Sequence, residues 1–166
     1  MSSRISPKYV YTSKTFSYLG KQTKSGWQFN CSVPPTTVNT REIPETMNIL
    51  KKTVPGVFDT ECFNDLYLPF VEEAAKTEIG HLFEHIIIHL LFVSQNKNSK
   101  PLAVYEGKTS WNWVKNPTGS FSIRIKGPKV TTELFSQLLE RATAIIEQIL
   151  MSSFHVSRPN TTISLS

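Results

Sequence analysis

One segment constrains this chain more than any other. From Glu78 to Ser94, apolar side chains fall on almost every side of a helix: Ile79, Leu82, Phe83, Ile86, Ile87, Leu90 and Leu91. A helix with so little polar surface must lie at the centre of a domain, covered on several sides. Thr77 stands where its N-cap belongs. Into this run the sequence sets His81, Glu84 and His85. A buried carboxylate is costly unless something pairs with it, so these three side chains call for one another or for a ligand.

The remainder has to supply the cover. With 166 residues, 39% of them hydrophobic and 19% charged, the chain suits one domain over residues 1–166. In the first forty residues Tyr9, Tyr11, Phe16, Tyr18 and the Trp27–Cys31 stretch alternate with polar residues. That pattern predicts two strands, a hairpin, with turn residues at Gly20 and Ser25-Gly26. A short helix is expected from Pro44 to about Thr53, stopped by Pro55-Gly56, and a second helical stretch over 63–76. Residues 102–106 and 120–125 read as strands flanking a Trp111-Asn112-Trp113 loop. Thr131 or Thr132 caps a last helix carrying Leu134, Leu138, Leu139, Ala142, Ile145, Ile146 and Ile149. The Ser/Thr-rich tail, 155–166, reads as frayed, with His155 at the surface. The expected fold is α+β: a small, mostly antiparallel sheet with helices on one face and the His-bearing helix buried.

Composition excludes more than it assigns. Lys and Arg number 18 against 13 Asp and Glu, a formal net charge of +5. That excess is scattered rather than gathered in a basic stripe, so nucleic acid is not the expected partner. Cys31 and Cys62 form no C-x-x-C pair and read as small buried residues. Residues 1–20 are polar, without the apolar core of a signal peptide, and the longest apolar run, Ile86–Val93, is too short to span a bilayer. A cytoplasmic protein with no membrane partner is the expectation. Oligomeric state stays open, a homo-oligomer included.

The chemistry lies in His81-Leu82-Phe83-Glu84-His85. Histidines four apart share a helix face and can chelate one ion, while Glu84 sits at the edge of that face. This H-x-x-E-H order is the inverse of H-E-x-x-H and is a zinc-hydrolase signature. A catalytic zinc needs a third protein ligand and an open position. His89 is a poor third, about 12 Å along the helix from His81 at ~1.5 Å per residue, and reads as a supporting or packed residue. Glu133, Glu140 and Glu147 recur every seven residues on the last helix, and the central Glu140, beside Leu138, Leu139 and Ala142, is the expected ligand. Glu84 then acts as general base for hydrolysis of a peptide or amide bond. Two bland readings compete: packed core histidines, or a metal held only for stability. Trp111, Trp113, Lys108 and Lys115 could contact substrate, though such a loop more often lays its tryptophans over the sheet. Arg124 at a strand end could meet carboxylates or face solvent. Gly80 could let another element approach the helix beside the site.

Beyond the motif, Ile43-Pro44 before a short helix, Val54-Pro55-Gly56, Cys62 and Gly80-His-Leu-Phe-Glu-His-Ile-Ile-Ile-His-Leu90 resemble the N-terminal domain of cyanophycin synthetase. The specific part is Gly80–Leu90, where that family has a Gly-His-x-x-Glu-His-x-Ala-x-Glu-Leu helix. The resemblance implies a domain that holds an aspartate–arginine polymer and in some members clips it. It implies His81, His85 and Glu140 as metal ligands, Glu84 as base, and a peptide or poly-aspartate-type substrate. His89 stands where the family has glutamate and Ile87 where it has alanine, and no ATP-dependent domain is present. The expected function is therefore a free-standing zinc-dependent amide hydrolase, with a non-catalytic polymer- or protein-binding module of the same fold as the alternative.

Overall fold

The computed structural model describes residues 6, 8–62, 69–97 and 101–155. Five strands make one sheet: β1 (Lys8–Thr12), β2 (Ser17–Thr23), β3 (Gly26–Ser32), β4 (Glu106–Ser110) and β5 (Ser120–Lys126). Their spatial order is β1-β2-β3-β5-β4, and every neighbouring pair is antiparallel. Helices α1 (Thr46–Thr53), α2 (Phe70–Glu73), α3 (Ile79–Gln95) and α4 (Thr132–His155) complete the α+β domain.

Alternation along the strands decides which face is covered. Tyr18, Trp27, Phe29, Cys31, Phe121, Ile123 and Ile125 are buried, whereas Val10 and Leu19 on the other face are 70% and 55% exposed. Helices α3 and α4 cover the buried face, and Phe83 of α3 meets the rings of Phe16 (5.0 Å between centroids), Tyr18 (5.8 Å) and Phe29 (6.4 Å). Trp27 stacks on Phe135 of α4 at 4.3 Å. At Gly80 the ring of Phe121 fills the space a Cβ would need, so this glycine brings α3 down onto β5. No described helix is long and apolar enough to cross a membrane.

The strand and helix limits differ from expectation in instructive ways. The N-terminal segment forms three strands rather than two, because the chain also turns at Ser13–Phe16, where Ser13 N–H donates to Phe16 O at 2.8 Å. Gly20 is no turn residue; it lies in mid-β2, paired with Phe29, whose ring lies over it. The strand expected at 102–106 begins only at Glu106. Thr77 does not cap α3; Glu78 holds that position without a side-chain cap, and the Thr77 hydroxyl turns to His81. Of the helical stretch expected over 63–76, Phe70–Glu73 is helix, and 63–68 lie outside the described residues. Helix α4 runs to His155, and the tail 156–166 and the His155 side chain lie outside the described residues.

Candidate metal centre

The start of α3 is clamped by the segment before α1. Thr40 N–H donates to Thr77 O at 2.8 Å, Thr77 N–H to Thr40 Oγ1 at 3.0 Å, and Ile79 N–H to Val38 O at 2.9 Å. This fixes the turn that carries His81. A 3-10 turn, Pro55–Asp59, then leads to Thr60 and Cys62 alongside the same helix.

These two segments bring three donor atoms together. His81 Nε2 lies 3.1 Å from His85 Nε2 and 3.4 Å from Cys62 Sγ, and the ligand atoms of all three residues lie within 4.8 Å of one another. The far side of each imidazole is held: His81 Nδ1 is 2.8 Å from Thr77 Oγ1 and His85 Nδ1 is 2.8 Å from Thr60 Oγ1. Thr60 commits its hydroxyl proton to Val57 O at 2.6 Å. His85 Nδ1–H must therefore be the donor to Thr60, which leaves His85 Nε2 as a bare lone pair aimed at the cluster. In metal-binding histidines a hydrogen-bond partner on the outer nitrogen fixes the ring's orientation and tautomer. Phe70 stacks on His85 at 3.8 Å and locks the ring's plane.

Burial keeps both imidazoles neutral. His85 is pushed down to about 3 by desolvation, with the neighbouring His81 acting in the same direction. His81 is also lowered by desolvation, opposed by the nearby carboxylates of Glu73 and Glu78. A neutral ring with an inward lone pair, as at His85, is the form that coordinates a cation. One sulfur and two imidazoles suit zinc and its neighbours, and three candidate ligands among the described residues match the number found in open zinc sites.

Glu84 turns away from this cluster toward β4. Thr109 Oγ1 donates to its Oε2, and a Cβ on Gly107 would collide with its Oε1. Only 4% exposed, Glu84 has its carboxyl pushed up to about 7 by burial, with the Thr109 hydrogen bond partly offsetting that rise. A cleft of about 1220 Å³ joins Glu84 to Cys62, His81 and His85. Its rim carries Asp59, Glu61, Glu73, Glu78 and Glu106 against Lys76 and Lys108.

The structure places Glu140, the expected third ligand, apart from the two imidazoles. Glu140 is exposed on α4 and does not belong to the group around the two imidazoles among the described residues. Nor do the three glutamates form a stripe facing α3. Glu133 is exposed, and Glu147 accepts hydrogen bonds from Tyr11, Ser13 and Thr15 at the β1–β2 turn. α4 needs only its apolar residues against α3, so its glutamates lie elsewhere. Cys62 takes the place intended for Glu140; it is half-buried beside His81, and its thiol is a better zinc donor than a distant carboxylate. The sequence offered Cys62 only as one of two isolated thiols, and its place beside His81 follows from the fold. Cys31 is buried in the core as expected.

His89 lines the cleft and packs on Gly56 outside the three-atom cluster. Trp111 also lines the cleft, 42% exposed, while Trp113 donates from Nε1 to Ser120 O at 2.9 Å and packs on Phe121 at 5.6 Å. Arg124 is exposed and is not part of the cleft. No protein-family model, curated protein or solved structure matches the chain.

Proposed function

We propose that this chain is a zinc-dependent amide hydrolase in which Cys62, His81 and His85 hold the metal and Glu84 is the general base. The observation that carries the reading is the convergence of Cys62 Sγ and two imidazole Nε2 atoms in the cleft that also contains Glu84. Zinc in such a site supplies a Lewis acid and a water that ionises near pH ~7. Thr60 holds His85 in the tautomer that coordinates, and Thr77 holds the ring of His81 in place. Glu84, raised to about 7, can take a proton at neutral pH and give it to a leaving amine, and the Thr109 hydrogen bond holds its carboxyl at the β4 wall of the cleft.

The proposed substrate is a peptide or an aspartate-containing polymer, as the resemblance to the cyanophycin synthetase N-terminal domain implies. The acidic rim favours a polymer whose aspartates carry basic groups over one with free carboxylates. A non-catalytic polymer-binding module of the same fold is the alternative, and Glu84 argues against it, because binding alone gives no reason to bury a carboxyl in the wall of the cleft that contains the Cys–His group.

A second reading has its own observation. Cys62 Sγ beside His81 Nε2, with Thr77 behind the ring, is also a nucleophile, base and orienter. Desolvation lowers His81 and so works against the thiolate–imidazolium pair that mechanism needs. The two separate cleanly by experiment. Purified protein loaded with zinc is assayed for metal content and for cleavage of an aspartyl-peptide library, with and without chelator. The hydrolase reading expects one zinc per chain, turnover lost on chelation, and Glu84→Gln that keeps zinc but loses turnover. Turnover that survives chelation and dies with iodoacetamide supports the thiol mechanism instead.

A further inference from the structure

The strand that borders the cleft has an edge with no strand partner among the described residues. There, β4 lies at one end of the sheet and pairs with β5. The direction of its backbone groups follows from the bonds on the far side of β5. Val33 N–H donates to Gly119 O and Gly127 N–H to Ser25 O, both at 3.0 Å, so odd-numbered residues along β5 bond toward β3. In an antiparallel ladder each residue directs its N–H and C=O to one side, and successive residues alternate. Ser122, Arg124 and Lys126 therefore bond toward β4, to Ser110, Lys108 and Glu106.

Gly107 and Thr109 are left directing their N–H and C=O outward, with no backbone partner among the described residues. These are the same two residues that hold Glu84, one through its hydroxyl and one by lacking a Cβ. The pairing register runs without a bulge from Glu106 to Ser110, and no proline interrupts it. Bulges and prolines are among the devices that blunt an exposed edge, and of the others β4 carries its short length and the exposed Glu106 and Lys108. Here an intact edge runs along the cleft wall beside the proposed base.

We propose that the outer edge of β4 is the substrate rail: an extended peptide segment adds to the sheet as a sixth strand, hydrogen-bonded to the main chain of Gly107 and Thr109. This rests on the hydrolase reading and extends it. The edge selects an extended main chain rather than particular side chains, and it lays the amides of that chain past Glu84. The occupant is the substrate polypeptide rather than a second copy of β4, because the edge is continuous with the cleft that contains Glu84 and the Cys–His cluster.

The test uses zinc-loaded, isotope-labelled protein with a tetra-alanine hydroxamate and the same compound N-methylated at alternate amides. Alteration lies wholly in the ligand, so the fold is untouched. The rail predicts binding weakened at least tenfold by methylation, and slowed amide exchange at Gly107 and Thr109 with the parent compound only. Equal affinity and unchanged exchange, in protein that holds its zinc, would overturn the rail and leave the hydrolase reading standing. Protein that takes up no zinc overturns both. Concentration-dependent protection of the same amides without any hydroxamate assigns the edge to self-association and overturns the proposal.

Discussion

Replacing Glu84 by glutamine removes a carboxyl that folding forces out of water, and the metal-free protein should register this as a pH-dependent gain. Burial moves the group from 4.5 to about 7. At ~1.4 kcal/mol for each tenfold change in proton affinity, the full difference is about 3 kcal/mol. A carboxyl raised by folding contributes its stability below the unfolded value and loses it as pH rises through the folded one. Wild-type protein should therefore weaken across this window relative to Glu84→Gln, which has no proton to lose. His85, depressed to about 3, acts oppositely, its contribution present above 6.5 and lost toward acid. It is common to both proteins and cancels in the comparison. Urea unfolding in chelator, from about pH 5 to about pH 8, should show the variant gaining about 2–3 kcal/mol on wild type. Parallel curves would mean that Glu84 ionises without cost and would refute the burial argument.

Other substitutions separate the parts of the site. Thr60→Val and Thr77→Val each remove a hydroxyl from an outer imidazole nitrogen and should weaken zinc binding roughly 10–100-fold in a competition titration, with the fold intact by circular dichroism. Cys62→Ser should weaken zinc beyond that range, whereas Glu140→Gln should leave it unchanged. Loss of zinc in the Glu140 variant would restore the α4 carboxylate to the site. Gly107→Ala drives a methyl against Glu84 and Ile88, and about 1–3 kcal/mol of thermal stability should go with it.

The sequence carried the framework because the framework depends on local periodicity. The apolar run of α3 predicted its own burial, and the alternation around Trp27–Cys31 predicted a strand covered on one face. Limits shifted where a long-range partner decided them. Gly20 reads as a turn in isolation, yet it is the residue over which the Phe29 ring lies. Thr77 reads as a cap until the imidazole of His81 claims its hydroxyl. His81, Glu84 and His85 were legible because one helical turn relates them. The Cys62 contact was not, because it depends on how the 3-10 turn at Pro55–Asp59 docks beside α3. Regular spacing on α4 drew attention to Glu140, but spacing does not tell an exposed glutamate such as Glu140 from one held by the sheet, such as Glu147.

X-ray absorption at the zinc edge of the loaded protein reads the ligand set directly. A single sulfur at about 2.3 Å and two imidazole nitrogens at about 2.0 Å, with one light atom from solvent, are expected for an open Cys–His–His site. A shell of nitrogen and oxygen alone, or protein that fails to retain a stoichiometric ion, would contradict the assignment of Cys62, His81 and His85.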